Sequence, residues 1–312
     1  MSRVITYVMS HPAHLPYLIV SLRSLRKYWD GIVYVFAWPE SYELVKRIGR
    51  DLDLDINPFC YEPDYRGKNA QFESKQLVVQ SFTRISCLNS PMLYLDADTL
   101  ITGDLTPLFI AAERTGFLAT QFGEWSTDGK IVQGRIKRLQ QFPEIEQRYV
   151  EEVLTHKWPS VNGGVFCCHP DSPALRNWHE WTKIARSIFI SDETALHAIM
   201  PKYVWANEMD VMGGGTYNCS ARRRLQPKTL ADNDVRIWHF HGDCNTRPRK
   251  GDGAIERWWP EYRECLRDNV GGMAEWRKDV HHKYLDKLEV QLTAAGDSWR
   301  ERLAELAQEE KR

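Results

Sequence analysis

The chain lacks any pairing among its cysteines: the seven, at 60, 87, 167, 168, 219, 244 and 265, form no Cys-x-x-Cys motif. Their odd number and scatter exclude a zinc ribbon or a disulfide framework and point to reduced thiols. An excess of one charge is also missing, since 41 basic residues face 42 acidic ones and the formal net charge is −1. Dedicated nucleic-acid binding usually shows as a basic domain, so that class is set aside; a small anionic substrate needs only a local cluster. Long apolar runs are absent as well. Val4–Met9 and Ile32–Trp38 are the longest and are strand-sized, whereas a spanning helix needs ~20 residues. The first residues run straight into a strand-like stretch with no charged, apolar and cleavage segments in order. No signal peptide is therefore expected, and the expected location is cytoplasmic. Asn218-Cys219-Ser220 matches a glycosylation pattern, read as chance without a secretory signal. Repeats and low-complexity segments do not occur.

What remains is a 312-residue chain with 43% hydrophobic and 27% charged residues. That is enough for a substantial core, in one large domain with an appendage or in two small domains. The first hundred residues alternate strand and helix: strand Val4–Met9, helix Tyr17–Trp29 with Leu18, Leu22, Leu25 and Trp29 in helical spacing, strand Ile32–Ala37, helix Tyr42–Leu52, helix Phe72–Leu88, strand Met92–Leu95. This order predicts a mainly parallel sheet with helices on both faces, whose ligands bind at the carboxyl ends of the strands. Further on, strands are expected at Phe117–Thr120, Gly164–Cys168 and Val235–Phe240, and helices at Ala174–Ile188 and Glu193–Met200, with a charged, helical insert over Lys130–His156. From Gly271 two amphipathic helices are expected: Val280, Tyr284, Leu288 and Leu292 recur every four residues, and Ser298 with Glu301 forms a capping box ahead of Trp299, Leu303 and Leu306. Such helices pack on the domain or pair two copies in a homodimer; peripheral attachment to a membrane is the alternative.

Chemistry concentrates after strands. Leu93-Tyr94-Leu95-Asp96-Ala97-Asp98 delivers two carboxylates, one residue apart, at a strand's carboxyl end. That arrangement suits Mg²⁺ or Mn²⁺, hard ions that bridge a diphosphate. Aspartate-nucleophile phosphatases also place Asp-x-Asp after an apolar strand, but close to the N-terminus and with threonine two residues later, where Leu100 stands here. The segment Val235–Gly242 ends in His239 and His241, which share one face of an extended chain, and either can complete the carboxylate site and favour Mn²⁺. Arg247, Arg249 and Lys250 follow as a cationic cluster suited to phosphate oxygens. Between these segments, Val161-Asn162-Gly163-Gly164 places an amide and two glycines before a strand, where backbone can approach a ligand closely. Asp192-Glu193 puts paired carboxylates at a helix start.

The run from Leu93 to Phe109, with Asp96-Ala97-Asp98 followed by Gly103-Asp104-Leu105, resembles the metal-motif region of glycosyltransferase family 8, the glycogenin and lipopolysaccharide galactosyltransferase group. Asn162-Gly163-Gly164-Val165, Asp192-Glu193-Thr194, Tyr217-Asn218 and His239-Phe240-His241-Gly242 follow in that family's order, so the likeness covers roughly residues 3–250. The resemblance implies a GT-A (Rossmann-like) α/β fold with a catalytic domain over 1–250, its nucleotide-sugar half about 1–110 and its acceptor half about 111–250, and a helical extension over 251–312. It implies a nucleotide-sugar donor, usually a uridine one, with Mn²⁺ held by Asp96, Asp98 and His239, with His241 as the fallback. It further implies nucleotide-sugar contacts from Tyr17, Lys75, Ala97, Asn162, Gly163, Gly242 and Arg247; Arg247-Pro248 comes two residues later than the family's Lys-Pro.

The family commonly has Asp-Gln-Asp where this chain has Asp192-Glu193-Thr194. Asp-Glu-Thr-x-Leu is similar instead to the Asp-Glu-Ser-x-Leu of the blood-group transferase family, in which the glutamate is the candidate nucleophile. The expectation is a retaining transferase with Glu193, next to Asp192, beneath the sugar, acting on a glycan, lipid or small-molecule hydroxyl. An inverting enzyme, in which the acid pair is a general base, and a non-catalytic binder of the same fold remain open. A nucleotidyltransferase is disfavoured, because His11-Pro12-Ala13-His14 stands where a glycine-rich phosphate loop belongs.

Overall fold

The computed structural model describes residues 3–9, 14–37, 39–60, 90–126, 134, 137, 139–141, 146–155, 158–186, 192–220, 230–240 and 257–279. Its centre is a seven-stranded sheet of β1 (Val4–Met9), β2 (Val33–Ala37), β3 (Ile56–Cys60), β4 (Met92–Leu95), β6 (Phe117–Ser126), β7 (Pro159–Cys168) and β8 (Asp210–Met212). The spatial order is β3-β2-β1-β4-β7-β6-β8. β1, β2, β3 and β4 pair in parallel, β6 pairs in parallel with β8, and β7 alone runs against both of its neighbours. The sheet is thus mostly parallel, as the strand–helix alternation predicts. β2 and β4 lie on opposite sides of β1, so the order of the sheet reverses between β1 and β4. That reversal opens a crevice at the carboxyl ends of these two strands.

Side chains of the central strands alternate between two cores. Ile5, Tyr7, Leu93, Leu95, Val165 and Cys167 face one side. There they meet α1 (Leu15–Arg26), α2 (Tyr42–Leu52) and α3 (Thr106–Thr115). Val4, Val8, Met92, Tyr94, Phe166 and Cys168 face the other, against α5 (Pro173–Arg186) and α6 (Asp192–Trp205), beyond which lies α4 (Gln147–Thr155). This is the period-two pattern of strands buried on both faces. Cys167, Cys168, Cys219 and Cys265 are buried free thiols, and burial pushes Cys219 and Cys265 up to about 12. No described helix is long and apolar enough to cross a membrane.

A second, three-stranded sheet stands beside the first, ordered β5 (Thr99–Ile101), β10 (Ile237–His239), β9 (Cys219–Ser220). β10 runs antiparallel to β5 with His239 opposite Thr99, and parallel to β9 with His239 opposite Ser220.

Several elements depart from the sequence expectations. β3, β5 and α3 are additional: β3 contains Pro58, β5 is only three residues long, and α3 starts with Pro107 in its first turn, where the missing amide hydrogen costs nothing. Asn162 and both glycines lie inside β7 rather than ahead of it. The shift in β6–β7 register between Ala119 and Thr120, from Phe166 to Asn162, is a bulge that breaks the alternation. The Glu193 helix continues past Met200 to Trp205 through Pro201. The expected helices at Phe72–Leu88 and beyond Val280, with the homodimer assigned to them, lie outside the described residues, as does part of the Lys130–His156 insert, whose described residues include the helix α4.

Residues 257–279 return to the same core. In α7 (Trp259–Arg267), Tyr262 is fully buried, and its ring stacks on Trp258 at 5.0 Å; Trp258 in turn packs on Tyr17 of α1 at 5.5 Å. Arg23 of α1 pairs with Glu261 and Glu264. The following 3-10 turn puts Gly271 (φ +61) against α2, where a Cβ would lie 2.5 Å from Ile48, and Met273 opens α8 (Met273–Asp279) fully buried. Trp258→Ala is therefore expected to cost about 3–5 kcal/mol in urea unfolding, against about 0.5 kcal/mol or less for Ile110→Ala, whose side chain is exposed.

Candidate active site

β4 ends at Leu95, beside the crevice, and Asp96-Ala97-Asp98 forms the turn into β5. Backbone and side-chain bonds fix this turn from three directions. Asp96 N–H donates to the Gly164 carbonyl at 2.8 Å, Thr99 Oγ1 donates to the Asp96 carbonyl at 2.8 Å, and Phe240 N–H donates to the Asp98 carbonyl at 2.9 Å. Thr99 is held in turn by a buried hydroxyl chain, Thr99 to Ser21 at 3.0 Å and Ser21 to Tyr7 at 3.0 Å. Ser24 of the same helix accepts the Ile101 amide of β5 at 3.0 Å. Helix α1 is therefore the backing plate of the two-carboxylate turn.

The antiparallel register of β10 on β5 carries His239 to the Thr99 end of β5, next to Asp98. Its Nε2 lies 3.2 Å from Asp98 Oδ1 and 3.6 Å from Asp96 Oδ2. Ligand atoms of Asp96, Asp98 and His239 all fall within 4.8 Å of one another. The imidazole is buried, and the two carboxylates are about a fifth exposed, so the cluster opens to solvent on its acidic side. Two oxygen donors and one imidazole suit a divalent cation. The Tyr94 hydroxyl donates to Asp96 Oδ1 at 2.6 Å. Burial, then the charge of Asp96, pushes this phenol well above its usual range, so it keeps the proton it donates.

Gly164 makes the cluster sterically possible. A Cβ there would sit 2.3 Å from His239 Cε1, 2.5 Å from Asp96 Oδ2 and 2.8 Å from Asn162 Oδ1. The Asn162 side chain folds back so that its Oδ1 accepts the Gly164 amide at 2.8 Å, while its Nδ2 donates to Glu193 Oε1. Asn218, fully buried just before β9, donates through Nδ2 to Thr120 Oγ1 at 2.9 Å and to Asn162 Oδ1 at 3.3 Å; its Oδ1 lies 2.9 Å from His239 Nδ1. A continuous polar path therefore runs from His239 through two amides to Glu193.

On the opposite side of the sheet an aromatic stack joins the same parts. Tyr94 packs on Phe166 at 4.9 Å, Phe166 meets Trp178 edge-on at 5.0 Å, and the Trp178 indole N–H donates to the Asp192 carbonyl at 2.7 Å. This fixes the first residue of α6, with Asp192 buried and Glu193 partly exposed.

Of the residues singled out in the sequence, the structure gathers Asp96, Asp98, His239, Asn162 and Glu193 through the contacts above. Ala97 lies buried between the two aspartates, Gly163 lies in the bulged part of β7, and Tyr17 is buried in α1 against Trp258. Lys75, His241, Gly242 and Arg247 lie outside the described residues. Tyr94 and Thr120 were not singled out; Tyr94 reads as part of an apolar strand and Thr120 as the end of one. Asn218 and Gly164 stood out only as motif members, and nothing local to them signals what they contact.

No protein-family model and no curated protein matches the sequence. Solved structures do. A galactosyltransferase, LgtC, in complex with donor and acceptor sugar analogs, superposes with a TM-score of 0.56 at 15% identity, over 84% of this chain and 95% of that one. Mouse xyloside xylosyltransferase 1 gives 0.51 at 13% identity, over 80% of this chain and 99% of that one. The glycosyltransferase GlyE of Streptococcus pneumoniae TIGR4 gives 0.52 at 13%, over 86% of this chain and 64% of that one. The chain thus has the GT-A fold of these glycosyltransferases.

Gly164→Ala is expected to displace His239 or Asp96 and to weaken divalent-metal binding at least ~10-fold, measured by titrating Mn²⁺ into the folded variant.

Proposed function

We propose that this chain is a metal-dependent glycosyltransferase that moves a hexosyl group from a UDP-sugar to an acceptor hydroxyl with retention of configuration. The observation that carries the proposal is the Asp96–Asp98–His239 cluster at the carboxyl end of β4, joined through Asn162 to Glu193. A cation bound there, Mn²⁺ in this reading or Mg²⁺ in its place, neutralises charge on the diphosphate as the bond to the anomeric carbon breaks. Asp96 and Asp98 would hold it by oxygen and His239 by Nε2, with the Tyr94 hydroxyl turning Asp96 so that Oδ2 faces His239.

Glu193 is the carboxylate assigned to the other side of the sugar, where positive charge develops at the anomeric carbon. Asn162 holds one of its oxygens, which restricts the carboxylate to few orientations. Asp192 shares the first turn of α6 and stabilises that turn by its charge at the helix N-terminus. The family 8 pattern has glutamine at the place of Glu193, and LgtC has also been solved as an active-site variant with a glutamine-to-glutamate exchange. Tyr17, Lys75, Ala97, Gly163, Gly242 and Arg247 are assigned to the donor on the family resemblance, Arg247 to its diphosphate. The acceptor is a glycan, lipid or small-molecule hydroxyl, and the proposed location is cytoplasmic.

A panel of UDP-sugars assayed with and without Mn²⁺ should show turnover that depends on the metal and falls about 100-fold or more in Asp98→Ala. Turnover that survives both chelation and Asp98→Ala, or a protein that binds no nucleotide-sugar, would sink the proposal. Glu193→Gln is expected to lower kcat by about 100-fold or more while Mn²⁺ affinity stays within about threefold. The anomeric proton of the product, read by NMR, should report the donor's configuration; the opposite configuration removes the role given to Glu193.

A further inference from the structure

We infer that Asn218 is a positioning residue that keeps the proton of His239 on Nδ1 and, with its other amide atom, binds the metal ligands and Glu193 into one rigid unit. The metal and Glu193 roles are those of the preceding section; the placement of the proton stands on hydrogen-bond geometry alone. Amide and imidazole orientations usually have to be chosen, but here two anchors without freedom decide them. The Thr120 hydroxyl has a single hydrogen and donates it to the Val165 carbonyl at 2.6 Å. Toward Asn218, Thr120 Oγ1 is therefore an acceptor, and the atom that faces it at 2.9 Å must be the Asn218 nitrogen.

The second anchor is the Gly164 amide, which can only donate; it makes the Asn162 atom 2.8 Å away the oxygen. That oxygen also receives Asn218 Nδ2 at 3.3 Å, and the remaining Asn162 nitrogen is left to donate to Glu193. Both anchors give Asn218 the same orientation. Its oxygen then faces His239 Nδ1 at 2.9 Å, and a carbonyl oxygen in that place requires a proton on Nδ1. Nε2 is left as the ring atom presented to Asp96 and Asp98. Such outer contacts commonly govern ligand orientation, and their loss typically costs 10- to 100-fold in metal affinity.

Two substitutions separate the two halves of the role. Asn218→Leu removes the acceptor for Nδ1–H and should raise the Mn²⁺ dissociation constant about 10- to 100-fold. Asn218→Asp keeps an oxygen toward Nδ1 but sets a carboxylate oxygen against Asn162 Oδ1. It should bind Mn²⁺ within about threefold of wild type while kcat falls toward the level of Glu193→Gln. Mn²⁺ binding is read by electron paramagnetic resonance and calorimetry, with circular dichroism to confirm folding. In ¹⁵N-histidine-labelled wild type, assigned by comparison with His239→Gln, Nδ1 should carry the proton; this readout needs neither turnover nor a folded Asn218 variant.

Wild-type metal affinity in folded Asn218→Leu, an equal loss in both variants, or an unprotonated Nδ1 overturns the inference. A wild-type protein that binds no Mn²⁺ defeats the metal-site proposal instead, and the Nδ1 proton can still be read, so the two failures are distinguishable.

Discussion

The antiparallel pairing of β5 with β10 is the constraint from which the site follows. Two aspartates in a turn after a strand are common, and a histidine far downstream has no local reason to join them. The three-residue register of Thr99, Leu100 and Ile101 against His239, Trp238 and Ile237 supplies that reason. It is a short ladder closing a very long loop, so the pairing alone is too weak to hold. Burial makes up the difference: Leu100, Ile101, Ile237 and Trp238 are all within the core, and Arg257 covers the Trp238 ring at 4.2 Å. From the other side, Ser21 and Ser24 of α1 hold β5 by hydrogen bonds that leave no room for register slip.

A second constraint is the density of buried polar groups around the carboxylates. Ser21, Thr99, Thr120, Asn162, Asn218 and His239 are all buried, each at a cost if its partner is lost. Hydrogen bonds that satisfy such groups in a low-dielectric interior strengthen one another and favour one arrangement over its alternatives. The site is stiff for that reason, and its geometry is set before any ligand arrives.

These constraints explain what could be read from the sequence. β1, β2, β4 and α2 carry their own signals, because periodicity and burial coincide in each, and Asp96 and Asp98 announce themselves by following an apolar strand. His239 and Glu193 were legible as candidates through motif order, although their meeting was not. β5 has too few residues for a period, and Pro58 masks β3. The bulge in β7 moves Asn162 and Gly164 into a strand whose alternation it breaks. Tyr94 shows the limit most clearly: its ring makes it look like core, which it is, while its hydroxyl holds Asp96 in the carboxylate turn. Nothing local to Asn218 signals what it contacts, since each of its three partners arrives from a different part of the chain.

The embrace of α1 by Trp258 and Tyr262 bears on how the protein comes to exist. α1 is made early in synthesis, yet its buried face is completed only by aromatic residues near position 260, and the turn it supports is completed only by His239. Contacts this distant along the chain slow folding and keep apolar surface exposed while they wait. On the ribosome, β1 to β4 can assemble as a parallel half-sheet long before His239 could join Asp96 and Asp98. The three-residue cluster would then assemble abruptly, late in translation, and a nascent chain stalled before β10 would carry the two aspartates without the imidazole that completes them.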